Sequence, residues 1–336
     1  MVAVKAFGSF EGKRVDQFTL TSASGVEVDL INWGVTVRDW RVPVRGAMRS
    51  VVLGFEQFDD YPKHSPHFGS LAGRVANRIT GAKFELGGRS YTLPANENGC
   101  TLHGGPEGIG RLVWETDINS TGRAVRFSLT SPDGAMGFPG TLALTATYTL
   151  SGNRLKLELG ATTDRPTPVS LVQHQYFNLG TTSDVLDHRY RFAAAAFTEV
   201  DEELIPTGNI IEAKPGSEQD FRTAKTLRDA RGGPIDYDGN WALDTGRDLS
   251  EPAAVVTAPD GALTLKLRTD RPGLQFYNAV MTDVKVPGLG GKRYGKHSGF
   301  CLEDQAFPDA LHHPHFPNII ITPDRPYSHW CEFEIG

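Results

Sequence analysis

The sequence predicts an all-β protein, a large antiparallel β-sandwich with few short helices, and three observations carry that expectation. Apolar residues recur at every second position through much of the chain, glycine-containing turns separate the alternating runs, and nothing reads as a crossover helix between parallel strands. Val26, Val28 and Leu30 alternate with Glu27 and Asp29, and Val125, Phe127 and Leu129 repeat the pattern further on. Lys83–Leu86 and Arg89–Leu93 flank Gly87-Gly88, a pair able to take the positive φ values of a tight hairpin. The longest signal runs from Thr141 to Leu150, with Leu142, Leu144, Ala146, Tyr148 and Leu150 on one face. After the turn Ser151-Gly152-Asn153 the return strand places Leu155, Leu157 and Leu159 on one side, so this is a long hairpin with one buried face. Leu263, Leu265 and Leu267 repeat the alternation.

Helical signals are short: Glu56–Tyr61, and Thr223–Ala230 with Thr223 as N-cap. The stretches Gly180–Thr198 and Asp201–Asp220 read as long loops laid over the sandwich. At 336 residues, without a Ser/Gly-rich or Pro-rich linker, the chain is expected to form one large domain over residues 1–336.

Composition excludes several function classes. With 34 Lys+Arg against 40 Asp+Glu the formal charge is −6, and no basic run offers a phosphate-binding stripe, so a nucleic-acid partner is not expected. Cys100, Cys301 and Cys331 are too few and too scattered for a disulfide framework or a zinc site. No apolar run reaches signal-peptide length at the N-terminus or the ~20 residues of a membrane span, so the expectation is a cytoplasmic protein without membrane contact. In that setting the sequon Asn119-Ser120-Thr121 reads as chance. Gly288-Leu289-Gly290 begins like a dinucleotide fingerprint, but Arg293 stands where the third glycine belongs; no cofactor is expected. His312-His313-Pro314-His315 resembles a metal tract, yet lacks nearby cysteines or carboxylate pairs in helical register, and metal is not expected either.

One stretch stands out chemically. In Gly299–Gln305, read as a strand, Phe300 and Leu302 face one way while Cys301, Glu303 and Gln305 face the other. A carboxylate among such neighbours is costly without donors or positive charge around it, so the chain must supply partners for Glu303. Candidates lie in short polar clusters. Asn77 and Arg78 lie in the cluster Gly73–Ile79, although on its own the plainer reading there is two surface arginines, since most arginines are exposed. His103 precedes Gly104-Gly105, which lets a ligand approach the backbone, or is simply a loop histidine. His174, Tyr176 and Asn178 share one strand face, either as a polar binding surface or as a satisfied core histidine with a polar rim. Asp238 lies in Tyr237–Trp241, which alone reads as a good turn, and Gln275 with Tyr277 faces away from Leu274 and Phe276. Together these residues suit a polyhydroxylated small molecule: directional groups for hydroxyls, aromatic faces for C–H groups, and a His/carboxylate pair for proton movement.

These clusters resemble, in order and wording, the aldose 1-epimerase (galactose mutarotase) family. The resembling segments are Asn32–Thr36, Val51–Phe55, Gly73–Ile79, Leu102–Gly105, His174–Leu179, Leu204–Gly208, Gln275–Tyr277, Phe300–Gln305 and Phe307–Asp309. The resemblance implies a galactose-mutarotase-like sandwich that interconverts the anomers of a free sugar; the expected partner is that small-molecule sugar, with the chain a monomer or homodimer and no cofactor. Carried over position by position, Glu303 looks like the general base that takes the C1 hydroxyl proton, and His174 like the general acid at the ring oxygen. His103, Asn77, Arg78, Asp238 and Gln275 match substrate-binding positions, and Arg78 and the histidines are expected to help keep Glu303 ionised. Gln173, Gly239 and residues 278–290 depart from the family pattern, which bears on sugar preference rather than on the reaction. Readings that stay open beside it are a hexose-phosphate epimerase, a non-catalytic sugar-binding sandwich, and a glycoside hydrolase pairing Glu303 with Asp238.

Overall fold

The alternation in the sequence becomes antiparallel ladders. In the computed structural model, described over residues 2–118 and 123–336, three sheets carry most of the architecture. The first has five strands in sequential order: Val2–Phe10, Lys13–Thr21, Glu27–Ile31, Thr36–Val44 and Ala47–Ser50. The second has eight, ordered Glu115–Ile118, Ala124–Ser131, Leu142–Ser151, Arg154–Thr163, Tyr327–Ile335, Thr264–Thr269, Ala254–Thr257 and Arg189–Phe192. The third again has five, ordered Pro206–Glu212, Ala196–Val200, Asp238–Ala242, Gly273–Tyr277 and Cys301–Gln305. The all-β, antiparallel expectation is met.

Side-chain period and strand register together place the core. Leu142–Ser151 pairs with Arg154–Thr163 so that Ala146 meets Leu159, Tyr148 meets Leu157 and Leu150 meets Leu155. Across the next ladder Leu157 meets Cys331 and Leu155 meets Phe333. The cluster these side chains build also takes in Leu274, Phe276 and Leu302 from the third sheet and Phe300 immediately before its last strand. Each such side chain contributes roughly 1.5–3 kcal/mol on burial, an upper figure because unfolded chains are already partly compact. With its apolar face spent on this core, the strand Cys301–Gln305 turns Glu303 the other way. The Gly87-Gly88 hairpin also forms as expected, with φ of 60° and 74° joining Leu86 to Arg89.

Several local expectations are corrected. The first helix runs Asp60–His64, not Glu56–Tyr61. Glu56 is drawn out of any helical turn because its carboxylate accepts Arg38 Nη2 at 2.9 Å and the Gly290 N–H at 3.0 Å. No helix covers Thr223–Ala230; Lys225 bridges to Tyr190, and Leu227 donates its N–H to Leu186 O (2.9 Å) with its side chain buried. Cross-chain bonds take the backbone groups a helix would have used. The supposed loop 180–198 contains the strand Arg189–Phe192, the supposed loop 201–220 contains Pro206–Glu212, and the supposed turn at Asp238 is the strand Asp238–Ala242. The sequon at Asn119 lies outside the described residues. All three cysteines are buried and free, and no helix among the described residues is long and apolar enough to cross a membrane.

The polar segment Gly73–Ile79 is fixed by Arg74, which is a structural group and not a surface arginine. Its guanidinium is buried and donates to Ser131 Oγ (3.1 and 2.9 Å), Ser131 O (3.0 Å), Pro132 O (2.7 Å), Pro139 O (3.0 Å) and Gly140 O (2.9 Å). This pins the segment carrying Asn77 and Arg78 to the loop after Ala124–Ser131. Arg74→Ala strands several buried acceptors at about 1–3 kcal/mol each, so we expect a loss of at least ~3 kcal/mol in thermal or urea unfolding. Arg74→Lys is expected to recover little, because an ammonium cannot reproduce the planar fork; a variant as stable as wild type would contradict this role.

Candidate active site

Glu303 opens onto a cleft of about 170 Å³ bounded by the third sheet and by the turns around His67, Asn77 and His103. Strand register sets one wall. Asn240, Gln275 and Glu303 sit side by side on three adjacent strands, and Asp238, Tyr277 and Cys301 form the next row. Opposite, the short strand Val172–Gln173 pairs with Leu71–Ala72 and delivers His174, whose N–H donates to Ser70 O (2.9 Å) and whose carbonyl accepts the Gly69 N–H (2.9 Å). The His174 ring lies nearly parallel to Tyr176, with centroids 5.0 Å apart at 15°, and the Tyr176 hydroxyl is anchored on Pro66 O at 2.8 Å. This places His174 Nε2 3.5 Å from Glu303 Oε1, while its Nδ1 lies 3.5 Å from Cys301 Sγ.

The remaining polar groups are held by turn geometry. Asn77 (φ 61°) and His103 (φ 51°) both take the left-handed conformation and hold each other: His103 N donates to Asn77 O (3.0 Å), and the Asn77 N–H donates to His103 Nδ1 (3.2 Å). Since Nδ1 accepts, the proton of neutral His103 sits on Nε2. Gly104 makes this approach feasible: at φ 83°, a Cβ there would lie 2.0 Å from Gly73 O. Arg78 donates to Glu97 through Nε (2.6 Å) and Nη2 (3.2 Å), and its Nη2 lies 3.8 Å from Asp238 Oδ2. Gln275 Nε2 donates to Asp238 Oδ1 at 2.7 Å.

The cleft thus brings together Asn77, Arg78, His103, His174, Tyr176, Asp238 and Glu303. Gln275 stands behind Asp238 as its hydrogen-bond donor rather than at the cleft surface. Asn178, from the same predicted face, is spent on Thr182 O (3.0 Å) and Ser298 O (3.1 Å). The sequence reading missed Pro66, His67, Glu97, Met281 and Thr282, which also line the cleft. They sit on turns whose place no periodicity reveals, although a histidine in Pro66-His67-Phe68-Gly69 had the same proximity to glycine that flagged His103.

Burial dominates the electrostatics. Burial, with the negative charge of Asp238 added, pushes the Glu303 carboxyl well above the usual range, and Arg78 only partly opposes them. Burial lowers His174 to about 3 and His67 to about 4, and depresses His103 well below the ordinary value. Asp238 is raised, again by burial first, against Arg78 and the Gln275 bond. The expectation that Arg78 and the histidines keep Glu303 ionised is therefore corrected: Arg78 is shared with Glu97 and Asp238, and the histidines, lowered by burial, carry no charge to offer. Glu303 and His174 hold one proton between them, with the neutral pair favoured.

His103, His174 and Glu303 are close enough to suggest a metal centre, but the fit is poor. The His103 Nε2 lone pair is occupied by its proton as long as Nδ1 accepts from Asn77. In the second such group, Asp304, His329 and Cys331, both His329 nitrogens are already engaged, Nδ1 with Asp270 Oδ1 (2.6 Å) and Nε2 with Asp304 Oδ2 (3.2 Å). The histidine tract is taken up by protein partners: His312 by Asp309 (2.7 Å), His313 by Pro206 O (3.2 Å) with Asp309 Oδ2 at 3.7 Å, and His315 by Gly208 O (2.7 Å).

Comparison with known proteins agrees with this arrangement. The sequence profile of the aldose 1-epimerase family matches residues 16–334. Galactose mutarotase of Rattus norvegicus is 39% identical over 332 residues, covering 97% of this chain and 96% of its own. Aldose 1-epimerase of Escherichia coli (strain K12) is 34% identical over 339 residues, covering 96% of each. Among solved structures, a GalM/aldose epimerase homologue from C. elegans superposes with a TM-score of 0.88 at 28% identity, covering 95% of this chain and 98% of that one. Galactose 1-epimerase from Lactobacillus acidophilus shares the fold, with a TM-score of 0.84 at 24% identity over 100% and 98% of the two chains. Matched by that profile and by such relatives over nearly its whole length, the chain belongs to the aldose 1-epimerase family.

Proposed function

We propose that the protein is a mutarotase, an isomerase interconverting the α and β anomers of a free aldose such as glucose or galactose. The observation that carries this reading is the contact of Glu303 Oε1 with His174 Nε2, 3.5 Å apart in a cleft that also presents Asn77, Arg78, His103 and Asp238. At about 170 Å³ the cleft is smaller than the roughly 300–1,000 Å³ typical of drug-sized pockets, which suits a single sugar ring. Family membership and the relatives' names, galactose mutarotase and aldose 1-epimerase, point the same way.

Anomer exchange moves only protons and one ring bond. The polar surface of a sugar favours passage of the shared proton from Glu303 to His174. The Glu303 carboxylate then takes the O1 proton, the C1–O1 bond becomes a carbonyl, the C1–O5 bond breaks, and the imidazolium of His174 protonates O5. The open aldehyde rotates about C1–C2, and closure on the other face reverses both transfers. Acid and base act on two oxygens of one carbon, so no covalent enzyme intermediate is needed.

The charge of the cleft separates free sugars from sugar phosphates. Among the described lining residues Arg78 is the one arginine, and it is bound by Glu97 and faces Asp238, so two carboxylates outweigh its charge even with Glu303 protonated. A dianionic phosphate would meet net repulsion. We expect kcat/KM for glucose 6-phosphate to fall at least ~10-fold below that for glucose, which requires only about 1.4 kcal/mol of discrimination. A preference for the phosphate would overturn the free-aldose assignment in favour of the hexose-phosphate reading.

Polarimetry on freshly dissolved α-D-glucose and α-D-galactose tests the reaction itself. Wild type is expected to accelerate the decay of rotation, and Glu303→Gln to lose about 10²–10⁴ of that acceleration while remaining folded. Sugar binding without any acceleration would instead identify a non-catalytic binding module.

The pH dependence follows from the directions of the shifts. His174, lowered by burial to about 3, resists a second proton, so the acidic limb of kcat/KM lies below the usual histidine range. Glu303 is raised, so the shared proton is lost, and the rate falls, only on the alkaline side. Activity should hold from about pH 5 into the neutral range; a limb at the ordinary histidine value of about 6.5 would contradict the one-proton pair.

A further inference from the structure

We propose that His67 is a substrate-contacting residue of the cleft, its ring hydrogen-bonding a hydroxyl of the bound sugar at the end where His174 and His103 stand. The inference rests on the mutarotase reading above. His67 lies among the cleft-lining residues with part of its surface open to the cavity. Its ring centroid is 4.7 Å from that of His103 and 5.6 Å from that of His174, nearly parallel to the latter at 22°.

The three imidazoles are not equivalent. His103 spends Nδ1 on the Asn77 N–H, which leaves only an Nε2–H donor. His174 faces Cys301 through Nδ1 and Glu303 through Nε2. Neither ring nitrogen of His67 has a hydrogen-bond partner among the described residues, so a neutral His67 offers the cleft one donor and one acceptor together. A sugar hydroxyl needs that complement, since it donates and accepts at once.

The backbone supports the placement. His67 has φ 72°, a conformation uncommon outside glycine, and strain of this kind persists only where the surroundings over-determine it. The turn is tied from four sides. Ser70 donates to His67 O through N (3.1 Å) and Oγ (3.2 Å), Phe68 N donates to Ser65 Oγ (2.7 Å), the Tyr176 hydroxyl donates to Pro66 O (2.8 Å), and Gly69 N donates to His174 O (2.9 Å). Two of those ties run to the segment bearing His174, so the His67 ring is registered against the acid itself.

The test compares wild type, His67→Phe and His67→Asn for anomer exchange and, by calorimetric titration, for sugar affinity. Phenylalanine keeps a packing ring but no nitrogens; asparagine keeps a donor and an acceptor and tolerates positive φ. We expect His67→Phe to lose about 10- to 100-fold in kcat/KM, through KM and in step with sugar Kd, and His67→Asn to recover part of it. Monodeoxy sugars covering each hydroxyl identify the partner: removing it should weaken binding to wild type and leave binding to His67→Phe unchanged. Equal affinities for all three proteins, or a His67→Phe penalty that is the same for every deoxy sugar, would reduce His67 to packing and overturn the proposal. A wild type that binds sugar through His67 but accelerates nothing would sink the mutarotase reading alone.

Discussion

The whole site depends on placing a carboxyl group and an imidazole in contact where water cannot pay their charging cost. Glu303 is buried by Cys301, Tyr176 and the neighbouring strands, and at that depth a lone ionised carboxylate is unfavourable. His174 suffers the opposite form of the same penalty. Two groups that each resist charge, meeting at 3.5 Å, exchange a proton between near-neutral alternatives and not between free ions. The surrounding fold can be understood as the apparatus that maintains this contact.

That apparatus works from both faces of one strand. Phe300 and Leu302 fasten Cys301–Gln305 into the central core, so Glu303 cannot turn away without opening the core. Its neighbour Asp304 is held from behind by Thr269 Oγ1 at 2.5 Å and by His329, which in turn binds Asp270. A second set of ties fixes the facing wall: Arg74 through its carbonyl fork, and the paired left-handed residues Asn77 and His103. Rigid elements on both sides keep donor and acceptor atoms within the narrow range that proton transfer requires.

Much of this was legible in residue order. Alternation from Thr141 to Leu150 announces the buried hairpin, because a period of two leaves few other interpretations, and Glu303 among Phe300, Cys301 and Leu302 marks the isolated carboxylate. Short strands were harder. Arg189–Phe192 alternates, with Tyr190 and Phe192 buried, but over only four residues, and Pro206–Glu212 is mostly exposed at a sheet edge; neither is long or one-sided enough to stand out from a loop. Thr223–Ala230 looked helical because propensity is local, whereas its bonds to Tyr190 and Leu186 are not. The ionic state of the cleft was beyond sequence altogether: whether Arg78 serves Glu303 or is consumed by Glu97 is decided by distances between residues far apart in the chain.

The strand Tyr327–Ile335 occupies the middle of the eight-stranded sheet, between Arg154–Thr163 and Thr264–Thr269, although it follows both in the chain. Until it docks, those two strands each present an unpaired edge, and the sheet exists as two separate ribbons. Its pairings close very large loops, which makes them slow relative to the local hairpins. Until Tyr327–Ile335 docks, the folding chain therefore carries exposed, strand-forming edges, and its vulnerability to misassociation is greatest in that interval. The residue that tethers the site strand from behind, His329, arrives with that same element, so assembly of the wall that carries Glu303 and closure of the sheet are one event.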